Sequence, residues 1–318
     1  MQAIGGYFSL ELPIHKEYHT KAIKLNTGRN CLEYILRCKN YRKVYIPFYT
    51  CEVVLEPFKK LEICYSYYHI DNNLEIAEDI QLSEGEALLY TNYFGLKQSY
   101  VRKLAKLYSS QLIIDNTQAF FDMPVEGIDT FYTCRKFFGV PDGAYLYTDS
   151  VANFEIPQDF SYNRMDFLLK RIDISPEDGY ADFRQESSLL VGQPIKKMSK
   201  LTERIMQSID YIKAMKQRRS NYLYFQKKLS KMNMLAFNID DFATPMIYPF
   251  FCKLHNLRSK LIKEKIYVAQ YWPFVLQISD SYSFEYEYTN YMHPLPIDQR
   301  YDKEDMNRIV SIIEKVYR

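Results

Sequence analysis

The sequence lacks the charge imbalance and the metal-ligand spacing that would point to the commonest specialised partners. Lys and Arg number 41 against 39 Asp and Glu, so the formal net charge is only +2. That balance gives no basic field for nucleic acid or for an acidic membrane surface. Six cysteines are present (Cys31, Cys38, Cys51, Cys64, Cys134 and Cys252), yet none forms a C-x-x-C pair, and the five histidines are scattered. No zinc or other metal site is expected. No apolar run approaches the length of a membrane span, and the N-terminal residues show no basic stretch followed by an apolar one. Those absences predict a soluble, cytoplasmic protein without a signal peptide.

What is present is a globular composition, 47% hydrophobic and 25% charged over 318 residues. At about 150 residues per domain, this length suggests about two domains, or one large domain with an appendage. Tyrosine (30) and phenylalanine (20) are abundant, which suits an aromatic-rich core or a buried interface. Short apolar runs at 44–47, 61–70, 87–94, 111–116, 129–133 and 144–149 read as strands, with helices at 29–40, 50–60 and 98–109 between them. Such alternation implies a largely parallel sheet with helices on its faces and a ligand site beyond the carboxyl ends of the strands. Residues 174–183 read as loop. From Met198 the apolar spacing predicts one long helix, with a skip near Gln217–Arg219. Strands at 244–252, 266–270 and 294–298 and helices at 254–264 and 303–317 suggest a smaller C-terminal α/β domain.

Four segments carry candidate chemistry. In TCRKFFGVPDGAYLYT (133–148), Lys136 sits at a strand end beside Phe137 and Phe138. A lysine in a partly apolar pocket, with Arg135 as a neighbouring cation, would have its amine freed to attack an aldehyde. Lysines beside turns are more often plain surface residues. In LIIDNTQAFF (112–121), Asp115 ends an apolar strand and Gln118 follows. A carboxylate there can pair with a protonated pyridine nitrogen, although Asp also serves as an ordinary cap. In KLNTGRNCLEYIL (24–36), Asn26, Thr27 and Gly28 precede an amphipathic helix whose N-terminus suits a phosphate. Thr133 offers a hydroxyl to the same anion, or is simply a strand threonine. In VYIPFYTCEVV (44–54), Phe48 and Tyr49 follow a strand and could stack on a flat ring or fill the core.

Taken in order, these segments resemble the DegT/DnrJ/EryC1/StrS family of pyridoxal-phosphate-dependent sugar aminotransferases, which have the type I fold. NTGRNCLEYIL is similar to the family's glycine loop and first helix, VYIPFYTCEV to its V-x-x-P-x-x-T turn, IIDNTQAF to D-x-A-Q/H-A, and CRKFFGVPDGAYLYT to its lysine segment. KKMSKLTERI (196–205) and KQRRSNY (216–222) resemble its R-M-S-E-L helix and continuation. PMIYPFF, LIKEKIYVAQYWP and PLPIDQRYDKEDM resemble its closing segments.

The resemblance implies an α/β architecture. A large, mainly parallel mixed sheet flanked by helices lies in residues 1–195. The connecting helix and small C-terminal domain lie in 196–318. It implies pyridoxal 5'-phosphate as cofactor, with Lys136 as the Schiff-base and proton-transfer lysine. Asp115 would face the pyridine nitrogen, Gln118 would lie beside the ring, and Thr27, Gly28 and Thr133 would hold the phosphate. It further implies a homodimer with the active site at the interface, an amino donor such as glutamate, and a nucleotide-linked keto sugar destined for polysaccharide or a secondary metabolite. In the family's sugar-dehydratase branch, His replaces the lysine, so Lys136 favours transamination. Three departures stand out. Ile195 lies where the family's partner-subunit Asn reaches the phosphate, with Lys196 and Lys197 as the nearest cations. Cys51 stands at the ring-stacking position, leaving Phe48, Tyr49 or Tyr93 for that role, and Ala144 replaces the second Gly of D-G-G. These departures also admit a second reading, a descendant of the same fold that binds a ligand and regulates.

Overall fold

The computed structural model describes residues 4–317 except Asn238 and His255, so His255 and the outermost residues of both predicted domains lie outside the described residues. The first half alternates as the sequence predicts. It runs β1 (Ile23–Leu25), α1 (Gly28–Lys39), β2 (Lys43–Pro47), α2 (Leu55–Leu61), β3 (Cys64–Tyr68), β4 (Glu86–Thr91), α3 (Gln98–Tyr108), β5 (Leu112–Asp115), β6 (Asp129–Thr133) and β7 (Ala144–Tyr147). These strands form a 7-stranded sheet in the order β1-β7-β6-β5-β4-β2-β3. Strands β3, β2, β4, β5 and β6 are parallel, and β7 is antiparallel to both of its neighbours.

The apolar strands are continuous rather than alternating because both faces are covered. Leu88, Tyr90, Ile114 and Tyr132 point into one cluster, with Val101 and Leu104 of α3. Ala87, Leu89, Ile113 and Phe131 point into the other, with Leu32 and Ile35 of α1. The strand period of two deals neighbouring residues to opposite layers.

The second half contains α4 (Asp166–Asp173), α5 (Tyr180–Leu189), α6 (Lys200–Met206), α7 (Tyr211–Leu229), β8 (Ile247–Phe251), α8 (Leu257–Lys263), α9 (Val275–Ile278), α10 (Phe284–Tyr291), β9 (Met292–Pro296) and α11 (Lys303–Tyr317). Strands β8 and β9 pair antiparallel as a separate two-stranded sheet. Phe225, Leu229, Phe250, Leu257, Leu295 and Ile313 enclose a third cluster there.

Several expectations need correction. The long helix from Met198 is two helices, because Asp210 caps a new start by accepting from the Lys213 N–H at 2.9 Å. The break falls at 207–210, and α7 runs through Gln217–Arg219 without interruption. Residues 174–183 are only partly loop, since α5 begins at Tyr180. Residues 266–270 form no strand; Ile266 and Val268 fill the third cluster instead. No described helix is long and apolar enough to cross a membrane.

Candidate active site

Parallel strands carry their carboxyl ends to one edge of the sheet. Asp115 ends β5 and Thr133 ends β6 at that edge. Strand β1 runs parallel to β6 across β7, so it delivers residues 26–28 and the start of α1 to the same place. The Gly143 N–H donates to the Asn26 carbonyl at 2.7 Å, tying the turn beyond Lys136 to this loop. Gly143 has φ +107°, and a Cβ there would stand 2.8 Å from Thr202 Cγ2, so only glycine fits. Asp142, fully buried, accepts from Ser199 Oγ at 3.0 Å and from Thr202 Oγ1, which fastens the same turn to α6.

Lys136 lies in a tight turn in which the N–H groups of Phe137 and Phe138 both donate to the Cys134 carbonyl at 3.0 Å. The turn sends Phe137 and Phe138 into the core beside Phe120 and sends Lys136 outward, where it is exposed. The expected apolar pocket of Phe137 and Phe138 around the amine is therefore not formed. Arg135 does not stand beside the amine as the expected cation either. It donates to Ser187 Oγ at 3.1 Å and lies over the Phe183 ring.

What holds Lys136 is Thr117. The Lys136 Nζ donates to Thr117 Oγ1 at 2.9 Å, and the Thr117 N–H donates to Asp115 Oδ1 at 2.8 Å. Burial raises the Asp115 carboxyl above the usual range, opposed by the Lys136 charge and by hydrogen bonding from Thr117. Amine and carboxylate are thus joined through one residue.

Gly28 opens α1, and Thr27 is its N-cap, with Oγ1 accepting from the Asn30 N–H at 3.2 Å and donating to Asn30 Oδ1. A Cβ on Gly28 would meet Thr117 Cγ2 at 3.2 Å and Thr133 Cβ at 3.9 Å. Gly28, Thr117 and Thr133 therefore share one small concavity at the positive end of a 12-residue helix. The Thr133 hydroxyl has only a long contact, 3.5 Å to the Gly143 carbonyl. Gln118 is buried, and its Oε1 accepts from the Phe94 N–H at 3.1 Å.

Tyr49 is not brought into this group. It is fully buried, against the rings of Tyr93 at 5.7 Å, Trp272 at 4.6 Å and Tyr288 at 5.1 Å, with its hydroxyl on the Tyr271 carbonyl. The next position but one, Cys51, is half-buried. Ile195 is buried in its own chain, and the Lys196 amine is taken up by Asp159 Oδ1 and Gln193 Oε1.

The residue that sequence reasoning missed is Thr117. Its signal was a departure, since it stands where the D-x-A-Q/H-A pattern has Ala. The donor set fits pyridoxal phosphate: an accessible amine, a buried carboxylate at a strand end, and a glycine-floored anion cradle at a helix N-terminus.

No protein-family model and no curated protein matches the chain. Solved structures do. DesV of S. venezuelae is 15% identical with a TM-score of 0.64, over 93% of this chain and 85% of that one. A DegT DnrJ EryC1 StrS aminotransferase from Brucella abortus is 12% identical, TM-score 0.63, over 92% and 85%. The E. coli GDP-4-keto-6-deoxy-D-mannose-3-dehydratase with bound hydrated PLP is 14% identical, TM-score 0.60, over 92% and 87%. The chain has the fold of these structures, a type I architecture with the mainly parallel sheet that the sequence predicts.

Proposed function

We propose that the chain is a pyridoxal-phosphate-dependent aminotransferase that moves an amino group from a donor such as glutamate to a nucleotide-linked keto sugar. The observation that carries this reading is the Lys136–Thr117–Asp115 chain beside the Gly28 cradle. Lys136 would hold the cofactor through its amine and carry the proton to and from the amine-bearing carbon. Asp115 would face the ring nitrogen, and Gln118 would lie along the ring side. Gly28, Thr27 and Thr133 would hold the phosphate. Bound cofactor would supply an electron sink that makes the proton on the amine-bearing carbon removable. Lys136 in place of His favours transamination over the dehydration named for the E. coli neighbour.

A homodimer, with the site at the interface, forms part of this proposal. Lys136 is exposed in the single chain, and α4 and α5 carry exposed apolar side chains. Leu169, Ile172 and Ile174 of α4 and its end, and Tyr180 and Leu189 of α5, are exposed, while Arg135 lies over Phe183 of α5 and a Cβ on Gly139 would stand 3.3 Å from Leu168 Cδ2 of α4. Apolar patches of that kind mark interaction surfaces. We place the protein in the cytoplasm, in the synthesis of a surface polysaccharide or secondary metabolite, and divide it at 195/196 into cofactor-binding and small domains. The test is to load the purified protein with pyridoxal phosphate, add glutamate, and follow conversion of the cofactor from its aldehyde to its amine form. Stoichiometric conversion with release of 2-oxoglutarate supports the reading, and loading without conversion by any amino donor moves the regulatory reading to the front.

A further inference from the structure

A second site stands apart from the first, in the wall between α8, α10 and β9. Arg258, Ser259, Asn290 and His293 line a recess there of about 340 Å³. Among the described residues, the buried side-chain atoms without a hydrogen-bond partner include Arg258 Nε, Tyr288 Oη, Thr289 Oγ1 and both ring nitrogens of His293. Of these, Arg258 and His293 line the recess itself, and buried polar groups are nearly always paired.

The charge is unmatched as well. Arg258 keeps one long hydrogen bond, from Nη2 to the Met292 carbonyl at 3.4 Å. No described carboxylate neutralises it, and burial holds its guanidinium below the ordinary value. A half-buried guanidinium without a counter-ion is costly unless an anion joins it. His293 is 3% exposed. Burial first, and Arg258 second, push its ring down to about 4, so near neutrality it is uncharged and has one N–H to donate.

We infer that this recess binds a small oxyanion, a carboxylate or a phosphate, with Arg258 as its counter-charge and His293 as a further donor. The inference is independent of the cofactor reading. Guanidinium forks bind such anions in a bidentate manner. The recess is large enough for a substituent on the anion as well.

The test is isothermal titration of the purified full-length chain with inorganic phosphate and, separately, with glutarate, which has no amine to transfer. Whichever anion binds the more tightly identifies the source. Arg258→Gln is expected to weaken saturable binding roughly tenfold or more. Ser259→Trp, an exposed position on the rim, is expected to block it by filling the recess while leaving the core intact. Phosphate can also seat at the Gly28 cradle, so binding that persists unchanged in the Ser259→Trp protein belongs there and overturns the inference. Absence of saturable binding by both anions overturns it too.

Discussion

The Nζ of Lys136 donates to Thr117 Oγ1 at 2.9 Å, and the same threonine's N–H closes on Asp115 Oδ1 at 2.8 Å. One residue therefore sets both the amine and the carboxylate. Thr117→Val keeps the branched shape and removes the hydroxyl. A hydrogen bond to a charged group contributes roughly 1.5–3 kcal/mol. The amine-transfer rate should fall about tenfold or more, with little change in stability, because Lys136 is exposed. Thr117→Ser should recover most of the rate. Single-turnover kinetics on the three proteins would show it, and an unchanged rate in Thr117→Val would remove Thr117 from the site.

Gly28 offers a test that separates the fold from the proposed cofactor binding. A Cβ at that position would press Thr117 Cγ2 at 3.2 Å and narrow the cradle toward Thr133. The helix itself should gain, since alanine exceeds glycine in helix propensity by up to about 1 kcal/mol. Gly28→Ala is therefore expected to melt at the same or a higher temperature while its affinity for pyridoxal phosphate falls at least several-fold. A variant that melts lower with unchanged affinity would show that the glycine serves packing alone.

Asp122 makes stability depend on pH. Its carboxyl is buried and accepts from Asn92 Nδ2 at 2.8 Å, and burial raises it to about 7. A carboxyl raised in the folded state favours folding when protonated. That contribution is complete below its ordinary value of 3.8 and is lost as pH rises through about 7. The whole shift converts to about 4 kcal/mol at most. Asp122→Asn should match the parent near pH 4 and exceed it increasingly up to pH 8. Urea midpoints across that range are the measurement, and a constant difference would contradict the account.

Much of the fold was legible because the buried strands leave a plain mark. The runs ALLY of β4 and LII of β5 are apolar throughout, as a sheet covered on both faces requires. The order of Gly28, Asp115 and Lys136 along the chain also pointed to the candidate site, since parallel strands bring their ends to one edge. What stayed hidden depended on tertiary partners. The apolar spacing skips at Gln217–Arg219 because Arg218 interrupts an apolar face, although the helix reads as continuing through it. In the structure Arg218 is buried inside α7, over the Phe137 ring and hydrogen-bonded to Gln299 Oε1 at 2.8 Å. The true break lay in a cap, Asp210, that interrupts no apolar position. Tyr49 read as a ring for stacking, but sequence cannot show that Trp272 and Tyr288 arrive from the far half of the chain to enclose it. The outward turn of Lys136 was equally unreadable, because it depends on Phe137 and Phe138 finding Phe120.

The most direct measurement is a visible spectrum of the purified protein with added pyridoxal phosphate, followed by borohydride reduction and peptide mapping. The account predicts a yellow chromophore that reduction fixes to the peptide carrying Lys136, and none in Lys136→Ala. No chromophore, or label spread over surface lysines, would contradict it.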